Sequence, residues 1–476
     1  GWRKAHDRYC ESFLFTSGFL ENHLIPHMTL HVDYLVGGAG AMGMAFADVI
    51  LHESDKTFAI VDKRPAPGGH WNDAYPFVRL HQPSAFYGVN SRALGDDLID
   101  KVGWNRGLYE LASKGEVCAY YDRVMREQFL PSGRVHYFPN CEVNAQGEVV
   151  SLVTGSSIEI TPDKYVDASY MQVQVPATRD PDYAIDEGAL CVPINALPKV
   201  AGPNLTYTII GGGKTAMDAV LWLLANDADP QKIHWVRPRD SWILNRANIQ
   251  PGELALKSQE SFLRQMTEIS ESGTPEEMFA RLNSAGILWR LDPEIWPSMY
   301  RCATVTPAEF TQLKRVRNVV RMGHVERIHT NGLELTGGEY ALPEDTVYID
   351  CSADGLAKRP AQAIFQSQRI TLQTVRFCQQ VFSAAFIAHA EVTYKDDAKK
   401  NEICNVVPHP DTDEDFIRVT LANTLNSIVW NQDEELMQWL VDARLDGFSV
   451  IRRTAYESVV EIGARAVANM QRFLAS

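Results

Sequence analysis

The stretch that decides the fold is Val36-Gly37-Gly38-Ala39-Gly40-Ala41-Met42-Gly43. The apolar residues over 32–36 predict a strand, and apolar residues at helical spacing over 42–51 predict a helix. Between them, Gly38, Gly40 and Gly43 follow the G-x-G-x-x-G pattern, in which the glycines allow a tight turn, a close approach to a pyrophosphate, and close helix–strand packing. The pattern predicts a dinucleotide site at the start of the helix. The alternative is a glycine turn that serves packing alone.

An acidic residue supports the dinucleotide interpretation. Asp62 ends the next apolar stretch, residues 57–61, and an acid about 20 residues beyond the glycines is the expected acceptor for the ribose 2′-hydroxyl. Lys63 and Arg64 follow it as further candidates for contact with the nucleotide. The loop over 63–71 is too rich in proline and glycine for a helix. The mixed aromatic and polar residues over 75–87 are typical of a segment that wraps a ligand or covers a core.

Bulk composition excludes several classes of function. The 476 residues predict two or three domains. A net charge of −15 without a run of Lys or Arg argues against nucleic acid or an anionic membrane as the main partner. The sequence has no apolar run of about 18 residues, so no membrane span is predicted. The histidines and cysteines form no cluster with metal-ligand spacing, so no metal site is predicted.

The cysteines carry a separate prediction. All 8 are scattered, and none has CxxC or CxxxxC spacing. This favours a reducing, cytoplasmic compartment and predicts no disulfide framework. It also removes the redox-active disulfide that a flavin disulfide reductase would need.

The opening pattern repeats in the middle of the chain. An apolar strand over 205–210 leads into Gly211-Gly212-Gly213-Lys214-Thr215-Ala216, and an apolar helix over 216–226 follows. The next strand, 233–236, ends in Arg237-Pro238-Arg239 and has no acid. Arginines remove the 2′-hydroxyl contact and offer charge to a 2′-phosphate, so this turn predicts NADP(H) rather than NAD(H). The alternative is that both arginines are solvated loop charges.

Two different turns predict two different dinucleotides, and hence a nicotinamide that reduces a flavin. The predicted fold class is α/β, with two Rossmann-like dinucleotide-binding domains, small β-meanders and a helical C-terminal part. The FAD domain is interrupted by the NADPH domain. The predicted boundaries are an N-terminal extension over 1–27, the first part of the FAD-binding domain over 28–202, the NADP(H)-binding domain over 203–350, and the second part of the FAD-binding domain over 351–476. Locally, we expect helices over 108–115 and 121–129, a meander over 135–170 and a proline-rich linker over 176–203.

The glycine turn with Asp62, the stretch Gly68-Gly69-His70-Trp71 and the stretch Tyr75-Pro76-x-x-Arg79 form a recognisable series of motifs. Together they resemble the FAD-binding half of a known family, the class B flavoprotein monooxygenases (flavin-containing and Baeyer–Villiger monooxygenases). Gly211-x-Gly213-x-x-Ala216 with Trp235-Val236-Arg237 is similar to their NADPH-binding half. The resemblance covers 28–92 and 203–246. The chain departs from the family in lacking the fingerprint FxGxxxHxxx(W/Y) before the second turn, so it resembles a divergent member.

This resemblance implies FAD and NADPH as cofactors. It implies that NADPH reduces the flavin, that O₂ then forms a peroxyflavin, and that a small organic substrate is oxygenated. It places Trp71 and Tyr87 against FAD, with plain core packing as the alternative. His81 and Gln82 are candidates for hydrogen bonds to the flavin ring, and His81 is the candidate catalytic residue because its charge changes near neutral pH. A structural histidine is the alternative.

The complete set of predicted cofactor contacts comes from both halves of the chain. Its members are Gly38, Gly40, Gly43, Asp62, Lys63, Arg64, Gly69, Trp71, Gln82, Tyr87, Gly211, Gly213, Lys214, Thr215, Ala216, Arg237 and Arg239. Two other functions stay open. One is a flavin-dependent NADPH reductase, dehydrogenase or oxidase that inserts no oxygen, and the other is a non-enzymatic dinucleotide-binding protein.

Overall fold

The computed structural model describes residues 29–353, 355–356, 359–447 and 456–475, with backbone only for 456–459. The predicted N-terminal extension, 1–27, lies outside the described residues. Two sheets of mainly parallel strands organise the chain, and the strands of the second are inserted in sequence between strands of the first.

The first sheet has the order β20-β21-β7-β1-β2-β3, in which all neighbours are parallel except β20 and β21. Its strands are β1 (Leu30–Gly37), β2 (Phe58–Asp62), β3 (Val135–Pro139), β7 (Ile160–Asp167), β20 (Phe365–Gln366) and β21 (Arg369–Thr371). Every residue of β2 is buried, as expected for a strand covered on both faces. The strand order changes direction between β1 and β7, which is where open α/β sheets bind their ligands.

The second sheet has the order β15-β11-β10-β19-β9 and is parallel throughout. Its strands are β9 (Leu190–Pro193), β10 (Thr206–Ile210), β11 (Ile233–Val236), β15 (Asn318–Val320) and β19 (Thr346–Asp350). Both β10 and β19 are buried along their full length. This sheet changes direction between β10 and β19, so its second glycine turn occupies the same kind of position as the first.

Three smaller sheets complete the β structure, with the orders β4-β5-β6, β18-β17-β16-β8 and β13-β12-β14. Their strands are β4 (Cys141–Val143), β5 (Val149–Ser151), β6 (Ser157–Ile158), β8 (Ala184–Ile185), β12 (Ser241–Asn245), β13 (Leu288–Trp289), β14 (Met299–Val305), β16 (Val325–His329), β17 (Gly332–Leu335) and β18 (Gly338–Ala341).

The described helices are α1 (Ala41–Glu53), α2 (Lys114–Val124), α3 (Leu197–Val200), α4 (Lys214–Ala225), α5 (Ala255–Ser270), α6 (Pro275–Ser284), α7 (Pro307–Leu313), α8 (Gln380–Thr393), α9 (Asp397–Ile403), α10 (Asp413–Trp430), α11 (Glu434–Asp442) and α12 (Tyr456–Ala475). Helices α1 and α8 are apolar, and both contribute to the core beside the first sheet. Helix α12 packs with α5 and α10 around Phe279 and Met470. In the part of the chain that the structure covers, no helix is both long enough and apolar enough to cross a bilayer.

Three local predictions were wrong. Residues 108–113 are not helical, because Ser113 and Glu116 form a capping box that starts α2 at Lys114. The meander contains only β4, β5 and β6, because β3 and β7 pair with strands of the first sheet. The stretch 176–203 is more than a linker, because its strand β9 pairs with β19.

The prediction about disulfides was also wrong. Cys302 on β14 and Cys378 before α8 form a disulfide, with 6.8 Å between their Cα atoms. Their separation of 76 residues hides the pair from any test based on close cysteine spacing. The cysteines at 118, 141, 191, 351 and 404 are free.

Candidate functional site

The first glycine turn has the tight geometry that its pattern predicts. Gly38 has a φ of 125°, which favours glycine, and a Cβ at Gly43 would collide with the carbonyl oxygen of Gly38. Gly69 lies against the turn, since a Cβ there would be 2.9 Å from the Cα of Gly40. The amide of Gly68 donates to the carbonyl of Ala39 at 2.9 Å. The loop predicted to contact FAD therefore lies directly on the glycine turn.

Asp62 is tied to the same turn. Its carboxylate accepts hydrogen bonds from the backbone N–H of Ala39 at 2.7 Å and of Arg64 at 2.8 Å. Burial raises the pKa of Asp62, and these two hydrogen bonds oppose that rise. The Arg64 side chain points elsewhere, to Asp73 at 2.6 Å, and Lys63 is exposed. Of the three neighbouring residues, Asp62 is therefore the one held at the turn.

The second glycine turn repeats this geometry. Gly211 has a φ of 134°, and a Cβ there would approach the carbonyl oxygen of Cys351 to 2.6 Å. An added Cβ at Gly213 would meet no atom within 4 Å, so this glycine leaves open space beside the start of α4. Ala216 is fully buried and Thr215 half-buried. The Lys214 ammonium pairs with Asp218 one turn further along the helix.

The two helices that follow these turns begin without a side-chain cap. The N-cap residues are Gly40 for α1 and Gly213 for α4, and neither first turn contains an acidic residue. Helices α3, α5 and α8 also begin without a side-chain cap, whereas side chains cap α2, α6, α7, α9, α10 and α11, through Ser113, Thr274, Thr306, Asp396, Thr412 and Asp433. An uncapped helix start presents unpaired N–H groups and a partial positive charge, which together suit a phosphate.

The two arginines after β11 are already engaged within the protein. Arg237 is 4% exposed, pairs with Asp240 at 3.1 Å and lies over the Trp235 ring. Burial lowers the pKa of Arg237 to about 10, and its Nε–H has no hydrogen-bond partner in the described part of the chain. Arg239 is more open, with 35% of its side chain exposed, and pairs with Asp411 at 2.9 Å. A 2′-phosphate would therefore reach Arg239 more easily than Arg237.

We call the parts of the chain that carry the first and the second sheet the first and the second unit. One segment of the first unit, residues 69–87, connects the two turns. It starts at Gly69 beside the first turn and reaches the second through Tyr75, whose hydroxyl donates to Asp218 at 2.6 Å. Trp71 is half-buried between the core of the first sheet and that of the second. Further along, the Tyr87 hydroxyl hydrogen-bonds the backbone of Gln82, and burial raises the pKa of Tyr87 to about 12. The segment thus spans the space between the two predicted cofactor sites.

His81 lies beside the second turn. Burial lowers the pKa of its imidazole to about 3, assisted by the cations of Lys214 and Arg246 and opposed by Asp218. The imidazole is therefore neutral at physiological pH and holds no extra proton to release there. A neutral ring still donates or accepts a hydrogen bond, so the catalytic role of His81 remains a prediction.

Arg246 holds His81 in place. Its side chain is 1% exposed and donates to the His81 carbonyl at 2.7 Å. It also pairs with Glu309 at 2.9 Å, and donates to Asn105 at 3.3 Å and to the Thr304 carbonyl at 3.2 Å. This one guanidinium group connects two segments of the first unit with the β14–α7 corner of the second.

A cavity of about 370 Å³ lies at the carboxyl end of the first sheet. Its lining includes residues just beyond β7 and β21, residues of the loop between α9 and α10, and one residue from β14 of the second unit. Six of them are Met171, Thr374, Leu356, Val406, His409 and Arg301. Arg301 donates to Asp411 at 2.7 Å, so Asp411 accepts from both Arg301 and Arg239. The cavity therefore combines an apolar wall with a network of charges that reaches the second turn.

Three histidines around the site predict loss of stability in acid. Burial is the largest cause that lowers the pKa of His70 and His409 to about 4 and that of His81 to about 3. An unfolded histidine titrates near 6.5, so the unfolded state binds more protons below that pH and stability falls as pH drops from 6.5 towards 4. Each histidine should contribute a loss of about 2 kcal/mol between pH 6.5 and 5. Urea unfolding at both pH values measures it.

The matched control for this prediction is the exposed His136 on β3. His409→Gln should reduce the loss of stability between pH 6.5 and 5 by about 2 kcal/mol, whereas His136→Gln should leave it unchanged. Equal pH dependence in both variants and in the parent protein would contradict this account.

Comparison with known proteins gives the family of the chain. No family model matches it. The uncharacterized protein Rv2000 of Mycobacterium tuberculosis and the uncharacterized protein Mb2023 of Mycobacterium bovis are each 49% identical over 422 residues, which cover 88% of this chain and 78% of theirs. The chain belongs to the family of these mycobacterial proteins.

Some solved structures resemble part of this chain at low sequence identity. A flavin-containing monooxygenase from Stenotrophomonas maltophilia is 14% identical, with a TM-score of 0.43, and the match covers 76% of this chain and 98% of that one. OTEMO in complex with FAD and NADP is 14% identical, with a TM-score of 0.49, covering 76% of this chain and 84% of that one. A steroid monooxygenase bound to NADP is 13% identical, with a TM-score of 0.45, covering 76% and 85%.

Sequence reasoning missed the residues around the cavity. Asp411 is 172 residues from Arg239, and Arg301 lies in a region without a recognisable motif. The only local signal was the pair Pro408 and Pro410 around His409, which marks a loop. His81 and Arg246, which are joined by a hydrogen bond, are likewise far apart in sequence, at 165 residues.

Proposed function

We propose that this protein is a flavin-dependent oxidoreductase that uses FAD and NADPH, and that it acts as a monooxygenase on a small organic substrate with O₂. In this proposal the two sheets are two Rossmann-like dinucleotide-binding domains, and the NADPH domain interrupts the FAD domain. The observation that carries the proposal is the pair of uncapped helix starts, each behind a glycine turn at the point where its sheet changes direction. The mostly free cysteines favour a cytoplasmic location.

The residues at the first turn suit FAD. Gly40 and Gly69 approach each other without side chains, which leaves backbone N–H groups at the start of α1 for a pyrophosphate. Asp62 already lies at the turn and would accept the ribose hydroxyl. Bound there, FAD would supply the chemistry, namely acceptance of a hydride from NADPH and activation of O₂.

The residues at the second turn suit NADPH. Gly213 leaves open space beside the start of α4, where a pyrophosphate would be bound. Arg239 would take the 2′-phosphate and Arg237 would stiffen the same strand end through Trp235 and Asp240. Tyr75 and Lys214 both contact the carboxylate of Asp218. This common partner ties the second turn to the segment that would lie beside FAD.

The cavity suits a small organic substrate. Met171, Leu356 and Val406 contribute apolar side chains to its lining, and Arg301 and His409 contribute polar ones. Its volume of about 370 Å³ is within the range for small-molecule sites. Arg246 and Tyr75 hold the segment between the two proposed cofactor sites in place. Through this segment the chain would orient FAD and NADPH relative to each other.

The decisive experiment is a spectrum followed by isotope labelling. The purified protein should carry FAD that NADPH bleaches without oxygen. With a panel of small organic substrates and ¹⁸O₂, one substrate should gain one labelled oxygen per NADPH consumed. A protein without flavin, or one that NADPH does not bleach, would overturn the proposal. Peroxide as the sole product across the panel would exclude the monooxygenase reaction.

Nucleotide preference tests the role of Arg239. Arg239→Ala should raise the Kd for NADPH about 10- to 100-fold, because a charge-assisted contact to phosphate is lost. It should change the Kd for NADH less than about twofold, since NADH has no 2′-phosphate. Titration with each nucleotide measures both values. Arg317→Ala, at an exposed residue near the same sheet, should leave both unchanged, and equal weakening for NADH and NADPH would contradict the assignment.

A second candidate function is a flavin-dependent reductase that inserts no oxygen. The disulfide between Cys302 and Cys378 favours it, because it places an internal two-electron acceptor between the two units. Absence of label from every product, with NADPH still consumed, would support this function.

A further inference from the structure

The Cys302–Cys378 disulfide joins two segments that also contribute residues to the lining of the cavity. Cys302 follows Arg301, and Cys378 comes four residues after Thr374, and both Arg301 and Thr374 line the cavity. Both cysteines are half-buried, so small reductants reach them more easily than the buried free cysteines. The bond joins β14 of the second unit to the segment that leads from β21 to α8 in the first. It therefore links the two units covalently.

The backbone on both sides of this bond is unusual. Cys302 has a φ of 56° and Phe377, beside Cys378, has a φ of 40°. Residues 301–303 stand opposite the single residue Ile243, because the register between β12 and β14 shifts there. Left-handed backbone at non-glycine residues and bulges are found preferentially next to functional sites. Each cysteine therefore lies at or next to a residue with left-handed backbone, and Cys302 also lies in a β-bulge.

The surroundings favour thiolate chemistry at these two positions. Cys378 immediately precedes Gln379, the N-cap of α8, and that helix start has no side-chain cap. Arg301 is adjacent to Cys302, and Arg376 lies two residues before Cys378. Both arginines are paired, with Asp411 and Asp446 respectively, and helix N-termini and neighbouring cations are the surroundings in which reactive cysteines occur. Burial raises the pKa of the free thiols of Cys118, Cys191 and Cys404, so those residues are poor nucleophiles.

We propose that Cys302 and Cys378 form a redox-active pair that accepts two electrons from NADPH. The inference rests on the proposed function, because the electrons pass through bound FAD. NADPH gives up a hydride and becomes NADP⁺. With one proton from solvent, these two electrons break the sulfur–sulfur bond and leave two thiols. In reducing compartments disulfides are rare, and those that occur are usually catalytic or redox-sensing.

The test counts electrons and reads the cysteines directly. Air-oxidised protein with bound FAD is titrated with NADPH without oxygen, then denatured and treated with N-ethylmaleimide for peptide mass spectrometry. The parent protein should consume about two NADPH per FAD, and both Cys302 and Cys378 should be alkylated only after the titration. Cys302→Ser and Cys378→Ser should each consume about one. Cys118→Ser, at a half-buried free cysteine, should behave as the parent protein does.

The possible results separate this inference from the proposed function. Bleaching of FAD by one NADPH, with both cysteines still unalkylated, would overturn the inference and leave the proposed function intact. Alkylation of both cysteines before NADPH is added would also overturn it. Absence of bleaching would overturn the proposed function and the inference with it. Should either serine variant fail to hold FAD, the mass spectrum of the parent protein decides by itself.

Discussion

Replacement of Gly43 by alanine should yield a protein that no longer retains FAD on purification. A Cβ at this position would collide with the carbonyl oxygen of Gly38 and lie 3.1 Å from the Cβ of Ala168. Both neighbours are half-buried and follow directly on β1 and β7, where the amides of Gly38 and Ala168 donate to the carbonyls of Val61 and Gly37, so they have little room to move. Overpacking of this kind costs about 1–3 kcal/mol, which corresponds to about 5- to 150-fold weaker binding if the strain falls on the turn.

The measurement is the FAD content per chain, from the absorbance of flavin released on denaturation, with circular dichroism as the check on folding. The matched control is Gly463→Ala on α12, where an added Cβ meets no atom within 4 Å. That substitution should keep the FAD content unchanged and raise stability by about 0.5–1 kcal/mol, because alanine is the better helix former. A Gly43→Ala protein with a full complement of FAD would show that this turn does not bind the cofactor.

Loss of the Arg246 side chain should be the most destabilising single truncation among the charged residues discussed above. The guanidinium is 1% exposed and has partners on three separate segments. Removal leaves Glu309 without its cation and leaves the carbonyls of His81 and Thr304 without this donor. Breaking a buried ion pair in this way costs about 3–5 kcal/mol. We therefore expect Arg246→Ala to lower the free energy of unfolding by that amount, measured with urea.

The control uses an arginine with similar partners at the surface. Arg418 on α10 pairs with Glu414 and Asp415, but 52% of its side chain is exposed. Arg418→Ala should cost less than about 1 kcal/mol, as exposed ion pairs do. Arg246→Lys should recover part of the stability, because an ammonium keeps the charge beside Glu309 but not the planar fork. Equal effects of Arg246→Ala and Arg418→Ala would show that the buried arginine does not connect the units.

The glycine turns could be predicted from the sequence because their constraints are local. A left-handed φ at Gly38 and Gly211 and the close approach at Gly43 are properties of a few consecutive residues. Each turn then follows a buried strand and precedes an apolar helix, and these patterns also lie within one window of sequence. For the same reason, the second glycine turn could be recognised from the sequence as a repeat of the first.

Predictions failed where distant segments compete for a residue. Pro193 ends a strand although its neighbourhood is rich in proline, because β19 offers a free edge for pairing. Residues 108–113 are not helical and form isolated bridges with other parts of the first unit. The backbone N–H of Tyr109 also donates a hydrogen bond to the side chain of Gln250 in the second unit. Periodicity within a short window contains no information about such partners.

The sequence by itself determined two glycine turns, one followed by an acid and the other by arginines, because backbone geometry and charge type are set residue by residue. The tertiary structure alone decided that Arg239 pairs with Asp411, that Arg246 holds the His81 carbonyl, and that Cys302 and Cys378 meet. Those contacts join residues from 76 to 172 positions apart. They exist because segments that are far apart in sequence meet when the chain folds, and that folding depends on the whole chain.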